Sequence, residues 1–252
     1  TKGLDNLRLT NEISKICKRE FERGKINVSS AGTMLSFMEK PNFKMSIGFA
    51  QYSAEGNLCG DTIKTINDSR GHMIFIISDG MGKGSRAALD GAMGAGLLSK
   101  LLSAGFGFDS SLKVVNSALL VKSHEESLAT LDCIRVDLFS GKCEFYKAGA
   151  PKSYVVKENS LTKCELTSMP AGILRGVEFA KRTTLLNTDD EIIMMSDGIT
   201  DVGDDWLEEF LKLETSFDPN EKAKAILRLA LENSDEKHRD DMSVIVAKMI
   251  EK

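Results

Sequence analysis

Hydrophobic and polar residues follow two different periods along this chain, and the change of period separates helical from extended stretches. Apolar positions recur every three to four residues over 4–23, which predicts an amphipathic helix. From residue 43 onward they alternate with polar ones, as at Met45, Ile47 and Phe49, which is typical of a half-buried strand. The first helix either lies against the rest of the protein or serves as a linker or dimerisation helix.

The later part of the chain predicts strands on both sides of a central pair of helices. The predicted helices cover 85–103, 110–123 and 219–233. The predicted strands cover 73–78, 130–139, 142–148, 153–157, 180–186, 191–196 and 243–248. Several of these strands are joined by links of hairpin length, so the pattern predicts an α+β fold with mainly antiparallel sheet.

The composition is that of an ordinary globular protein and excludes several functional classes. Hydrophobic residues make up 42% and charged residues 28% of the 252 residues, and the formal net charge is −4. This balance provides no basic surface for nucleic acid or for an anionic membrane. The five scattered cysteines indicate reduced thiols of an intracellular chain. Because the chain begins at Thr1, we expect it to be a fragment of something longer.

Aspartates recur where predicted strands end, beside glycines that permit tight turns. Asp79 and Asp197 each follow an apolar run within nearly the same Ser-Asp-Gly sequence. Asp61 follows a glycine, and we expect it at the end of the strand that begins near residue 45. Asp240 and Asp241 directly precede the last predicted strand. A single Ser-Asp-Gly is usually a plain turn, but the recurrence favours a shared site.

Carboxylates gathered at one point repel one another unless cations or protons neutralise them. Two like charges ~4 Å apart repel by about 4 kcal/mol at an effective dielectric constant of 20. Ligands that are all oxygen, without histidine or cysteine, favour Mg²⁺ or Mn²⁺ over zinc. Two such ions can hold a phosphoryl group and activate water, so the pattern predicts metal-assisted hydrolysis of a phosphate ester.

In this order the motifs resemble the metal-dependent PPM (type-2C-like) serine/threonine protein phosphatases. They read G-D at 60–61, I-S-D-G-M-G-K-G at 77–84, M-S-D-G-I-T-D at 195–201 and R-D-D-M-S-V-I-V at 239–246. With M-P-A-G-I at 169–173, they are most similar to the phosphatase domain of the stage II sporulation protein E family. The resemblance covers roughly residues 28–250. It implies an α-β-β-α sandwich of two mainly antiparallel sheets flanked by helices.

The resemblance also implies a domain division and a set of metal ligands. Residues 1–27 would form an N-terminal linker or regulatory helix, and residues 28–252 the PPM-type phosphatase domain. Four catalytic aspartates would hold two Mn²⁺ or Mg²⁺ ions, namely Asp61, Asp79, Asp197 and Asp240. The backbone carbonyl of Gly80 would complete the coordination of one ion.

Within this set the resemblance assigns separate roles. Asp79 would bridge the two ions, and Asp61 would hold one of them largely through water. Asp241 stands where asparagine is common in the family and is a weaker candidate. The arginine that binds the phosphate in eukaryotic members has no motif match in this chain. Lys83 is the nearest cation and a weaker candidate, because its glycine-rich setting is also explained by a purely conformational role.

A substrate and a regulatory mechanism follow from the same resemblance. The substrate would be a phosphorylated STAS-type anti-sigma-factor antagonist in sporulation sigma-factor control. The helices at 85–103 and 110–123 would act as a switch, and with the N-terminal helix they would form a homodimer. Gly91, Gly94 and Gly96 either weaken the first of these helices or let it lie close to a sheet.

Localisation and the competing functions complete the expectations. We expect a cytoplasmic fragment, the soluble domain of a membrane-anchored protein, with no membrane contact of its own and no nucleic-acid partner. A catalytically silent PPM-fold docking module is the alternative function, but silent members usually lack a ligand, and every expected aspartate is present. The acidic balance disfavours a nuclease or phosphodiesterase.

Overall fold

The structure is a computed structural model that describes residues 6–252 except 55, 57, 69, 83, 123–126, 159, 214–217 and 237. Lys83, a predicted candidate for phosphate binding, therefore lies outside the described residues. The chain divides into two compact units, Thr1–Asn42 and Phe43–Lys252. In the part of the chain that is described, no helix has the length and apolarity needed to cross a bilayer.

The first unit contains a helix and a hairpin. Its elements are α1 (Asn6–Cys17), β1 (Lys25–Ser29) and β2 (Gly32–Ser36). The helix ends at Cys17, so the prediction that it extends to residue 23 was wrong at this end. Lys18 directly after it takes a positive φ of 52°, which ends the helical conformation. The hairpin was not predicted, because its mostly exposed side chains carry little hydrophobic signal.

The second unit contains two five-stranded antiparallel sheets. The strands of the first sheet lie in the order β10-β7-β6-β5-β4, and those of the second in the order β3-β12-β11-β8-β9. The strands are β3 (Phe43–Tyr52), β4 (Asp61–Asn67), β5 (His72–Asp79), β6 (Leu131–Asp137), β7 (Lys142–Ala148), β8 (Ser153–Lys157), β9 (Ser160–Cys164), β10 (Ala180–Leu185), β11 (Glu191–Met195) and β12 (Met242–Glu251). The helices are α2 (Gly84–Ser103), α3 (Phe108–Lys122), α4 (Asp197–Thr200), α5 (Asp205–Leu213) and α6 (Pro219–Asn233).

Three clusters of buried apolar side chains fill the spaces between four layers. Strand β5 shows the alternation, because Ile76 belongs to the cluster with α2 and α3 while Phe75 and Ile77 belong to the cluster between the sheets. The third cluster joins the second sheet to α5 and α6, with Ile193 and Ile226 among its members. The predicted α-β-β-α sandwich is therefore confirmed.

The predicted elements from residue 43 onward are found, but the structure contains others as well. Strands β4 and β9 and helices α4 and α5 were not predicted. Asp61 is the first residue of β4, so its expected position at the end of a strand was wrong. A loop separates it from β3, and the alternating residues that follow it form a strand of their own. Asp61 therefore lies on a different strand from the expected one, and its pairing places it at the same end of the first sheet as Asp79.

Candidate metal centre

Asp61 and Asp79 face each other across a pair of antiparallel strands. Asp61 begins β4, Asp79 ends β5, and the two residues are direct partners in the register. Directly opposed residues in such a pair have Cβ atoms about 4.5–5.5 Å apart, and like charges placed there destabilise the sheet. The fold therefore holds two carboxylates opposite each other, where a cation or a proton is needed to neutralise their charge.

The Asp61 side chain is buried without a hydrogen-bond partner. The residue is 4% exposed, and neither carboxylate oxygen is hydrogen-bonded within the described residues. The pKa of Asp61 is raised to about 7, mainly by burial. The charges of Asp197 and Asp241 contribute to this rise, and the nearby hydroxyls of Ser196 and Ser243 offset part of it. A buried carboxylate with two unpaired oxygens is costly unless it is protonated or binds a cation.

Asp79 is held firmly by its backbone while its side chain faces other acids. Its N–H donates to Thr130 Oγ1 at 3.1 Å, and its carbonyl accepts from Thr130 N at 2.8 Å. Burial, together with the charges of four neighbouring carboxylates, raises the pKa of Asp79 to about 8; these carboxylates are those of Asp197, Asp61, Asp240 and Asp241. These charge effects indicate that the other aspartates lie in the neighbourhood of Asp79.

Asp197 lies next to a strand of the second sheet. It is the first residue of α4, immediately after β11, and burial raises the pKa of its half-buried carboxyl, with Asp201 and Asp240 adding to the shift. Asp201 was not predicted to take part, although it lies in the same M-S-D-G-I-T-D motif. Gly198 is needed because a Cβ there would lie 2.1 Å from the backbone oxygen of Asp241.

The two adjacent aspartates before β12 make different contacts. Asp240 is exposed, and its Oδ1 accepts the N–H of Asp241 at 2.8 Å. Asp241 is half-buried, its Oδ1 accepts from Ala54 N at 2.7 Å, and its Oδ2 accepts from Gly60 N. The side chain of Asp241 is therefore occupied by backbone amides, whereas that of Asp240 remains accessible.

Helix α2 packs directly on the segments that carry Asp61 and Asp79. A Cβ on Gly80 would lie 1.9 Å from the backbone oxygen of Ala87, and a Cβ on Gly91 would lie 2.2 Å from that of Gly60. Only glycine permits such an approach of helix and loop backbones. The position of α2 is therefore mechanically linked to the backbone at the site.

The donor set fits hard divalent cations. Among the described residues, no three His, Cys, Asp or Glu side chains converge closely enough to form a metal site by themselves. The cluster nevertheless contains only oxygen donors, includes the unpaired oxygens of buried Asp61, and raises the pKa of three carboxyls. Oxygen-rich, acidic surroundings of this kind suit Mg²⁺ or Mn²⁺, with backbone carbonyls and water completing the coordination.

Comparison with known proteins gives consistent matches. The sequence model of the stage II sporulation protein E (SpoIIE) family matches residues 69–250. Stage II sporulation protein E of Bacillus subtilis (strain 168) is 28% identical over 222 residues, which are 85% of this chain and 27% of that protein. The protein of the same name from Priestia megaterium is 29% identical over 201 residues, which are 77% of this chain and 34% of that protein. The chain thus spans about a quarter to a third of these relatives.

Solved structures match as well. The PP2C phosphatase domain of Bacillus subtilis SpoIIE with a fragment of its regulatory domain superposes with a TM-score of 0.80 at 25% identity, covering 100% of this chain and 76% of that one. The phosphatase domain of the same protein, in a crystal form without domain swapping, gives a TM-score of 0.65 at 26% identity and covers 84% of this chain and 95% of that one.

Proposed function

The chain belongs to the stage II sporulation protein E family, and from this premise we propose that it is a metal-dependent protein serine/threonine phosphatase. The observation that carries the proposal is the opposition of Asp61 and Asp79, with both oxygens of buried Asp61 left without a hydrogen-bond partner among the described residues. Two opposed carboxylates repel each other and destabilise the sheet, and such unfavourable pairs are typical of catalytic sites.

In this proposal the chain supplies a rigid acidic frame. Asp61 and Asp79 would hold the ions from the first sheet, and Asp197 and Asp240 would hold them from segments next to strands of the second sheet. The backbone carbonyl of Gly80 completes the set. When bound, two Mn²⁺ or Mg²⁺ ions would stabilise negative charge on the phosphoryl group and lower the pKa of a water molecule.

We propose a phosphorylated STAS-type anti-sigma-factor antagonist as the substrate. The support is the family, whose members in Bacillus subtilis and Priestia megaterium are named for sporulation. The net charge of −4 argues for a protein substrate over a nucleic acid, because a polyanion would be repelled. We also propose that the chain is the cytoplasmic domain of a membrane-anchored protein.

The N-terminal unit is proposed to be regulatory. The SpoIIE structure that includes a fragment of the regulatory domain covers 100% of this chain, whereas the phosphatase domain alone covers 84%. The difference is close in size to the unit Thr1–Asn42. We propose that this unit and the helices α2 and α3 mediate homodimer formation and switching of the site.

The direct test is release of phosphate from a phosphorylated STAS protein with Mn²⁺, with Mg²⁺ and with a chelator. We expect metal-dependent release, and a loss of at least 100-fold for Asp61→Ala and Asp197→Ala. The matched control is Glu232→Ala, which removes an exposed carboxylate paired with Arg228 on α6. Equal release with and without metal would contradict the proposal, and binding of the phosphoprotein without release would favour the silent docking module.

A further inference from the structure

We propose that Asp241 is a positioning residue, which anchors the loop preceding Asp61 to β12 and does not itself hold a metal ion. The proposal rests on the proposed function only in taking Asp61 as a ligand. It concerns a residue that the sequence offered only as a weaker candidate ligand.

Both oxygens of Asp241 are committed to the loop between β3 and β4. Oδ1 accepts the N–H of Ala54 at 2.7 Å, near the start of the loop, and Oδ2 accepts the N–H of Gly60 at its end. One carboxylate thus holds both ends of the loop. Hydrogen bonds from amides to an ionised carboxylate are stronger than those between neutral groups, so this anchor is well suited to hold a backbone in place.

The need for an anchor follows from the place of β4 in the first sheet. Among the described strands, β4 is the outer strand of the first sheet and pairs with β5 alone. The Asp61 side chain makes no hydrogen bond of its own within the described residues, so its direction depends on the backbone that carries it. Asp241 lies just before β12, a central strand of the second sheet, and so reaches this backbone from a firmly held element.

Other contacts hold the same short segment from different directions. Gln51 Nε2 donates to the backbone oxygen of Asp61 at 3.4 Å and to Ser243 Oγ at 2.9 Å. The carbonyl of Gly60 accepts the N–H of Gly80 at 3.3 Å. The contact of Asp241 differs from these, because among the described residues no other side chain accepts the N–H of Gly60.

Comparison with Asp240 separates the two roles. Asp240 is exposed, and its Oδ1 accepts the N–H of the next residue. Its carboxylate therefore remains accessible to an ion. Asp241 cannot turn towards an ion without releasing Ala54 or Gly60. The two adjacent aspartates therefore have different roles: Asp240 is accessible to an ion, and Asp241 holds the loop.

The first test is hydrogen exchange of individual amides by NMR in the metal-free chain. In Asp241→Ala, we expect the protection of the amides of Ala54 and Gly60 to fall at least tenfold. In Asp241→Asn, which keeps one acceptor oxygen, we expect only one of these two amides to lose protection. Asp240→Ala is the matched control and should leave both amides protected. Unchanged protection in both Asp241 variants would overturn the proposal.

The second test is calorimetric titration of each variant with Mn²⁺. Loss of a residue that orients a ligand typically weakens metal binding about 10- to 100-fold. We expect Asp241→Ala to weaken one ion by this factor without changing the number bound, and Asp241→Asn to fall between it and the original chain. Loss of one whole ion in Asp241→Asn, with normal exchange at Gly60, would show that Asp241 is a ligand.

The two tests also keep this proposal separate from the proposed function. If the original chain bound no Mn²⁺ and released no phosphate, the proposed function would fail, while hydrogen exchange would still decide whether Asp241 anchors the loop. If Asp241→Ala did not fold, Asp241→Asn would decide the outcome alone, because it preserves the shape of the side chain.

Discussion

At the scale of single residues, Asp61 shows the strongest conflict between burial and charge. Its oxygens have no hydrogen-bond partner among the described residues, and its pKa of about 7 means that, without a cation, it keeps its proton to a higher pH than an ordinary aspartate. The same raised pKa links the stability of the metal-free protein to pH, because the unfolded chain releases this proton near the ordinary value of 3.8.

We predict that the metal-free protein loses stability as the pH rises from 5 to 8. The folded state binds the proton more tightly than the unfolded state, so the stabilisation is complete below about pH 4 and is lost as the pH passes the folded pKa of about 7. Asp61→Asn cannot ionise and should lose less stability over this range. Melting temperatures measured with a chelator at each pH test this, and parallel curves for the two proteins would contradict it.

A buried ion pair between β6 and β7 gives a second prediction at this scale. Lys147 Nζ donates to Asp132 Oδ2 at 2.7 Å and to Ser153 Oγ at 2.8 Å, and all three residues are buried. Lys147→Met would leave the Asp132 carboxylate buried without a cation, and we expect a loss of about 3–5 kcal/mol in the free energy of unfolding. The double variant with Asp132→Leu should recover most of it. Urea denaturation measures both, and equal losses in the two variants would contradict this account.

The residue types at the site were predictable, but their contacts were not. Asp79 and Asp197 could be found because each ends an apolar run and precedes a glycine, which is a local signal. The engagement of Asp241 by Ala54 and Gly60 joins positions far apart in sequence, with a separation of 181 residues for Gly60. Nothing in the local pattern specifies which backbone amides a carboxylate will meet.

At the scale of elements, the glycines of α2 divide into two kinds. A Cβ on Gly91 would lie 2.2 Å from the backbone oxygen of Gly60, and one on Gly94 would lie 2.9 Å from Ser78 Oγ. A Cβ on Gly96 would meet nothing within 4 Å. Close packing on the sheet therefore accounts for Gly91 and Gly94, while Gly96 only lowers the helix propensity.

These positions provide a matched pair of variants. Gly91→Ala should push α2 away from the segment carrying Asp61, and we expect a loss of about 1–3 kcal/mol in stability together with weaker Mn²⁺ binding. Gly96→Ala should stabilise the protein by about 0.5–1 kcal/mol and leave Mn²⁺ binding unchanged. Thermal unfolding and calorimetry measure both effects. Normal Mn²⁺ affinity in Gly91→Ala would contradict the link between helix position and the site.

Elements with a long, regular pattern could be predicted, whereas short or exposed ones could not. Helices α2, α3 and α6 each continue one periodic pattern over many residues. β9 has five residues, and the hairpin of β1 and β2 buries few side chains, so neither differs clearly from a loop in sequence. The order of strands within each sheet depends on distant pairings and was not predicted.

At the scale of the whole molecule, the residues of the proposed site come from both sheets. Asp61 and Asp79 belong to the first sheet, and Asp197 and Asp240 flank strands of the second. All members of the three buried clusters lie between Phe43 and Met249, so the second unit contains its own core. The predicted domain boundary between residues 27 and 28 falls inside β1 and is best tested directly.

We predict that a shortened chain of residues 43–252 folds by itself and binds Mn²⁺ like the full chain, because it keeps every cluster of the core and all the proposed ligands. A chain of residues 28–252 would retain β2 without most of its partner and should gain no stability over the shorter one. Circular dichroism during heating and Mn²⁺ titration compare the three. Failure of 43–252 to unfold cooperatively would contradict the division into units.

The arrangement of β3 has a consequence for the timing of folding during synthesis. β3 pairs only with β12 among the described strands, and the paired residues Gln51 and Ser243 are 192 positions apart. On the ribosome, β3 therefore lacks this partner until β12 has emerged. A nascent chain that has not yet reached β12 cannot bring the aspartates before that strand to Asp61 and Asp79, so the acidic cluster assembles late in translation.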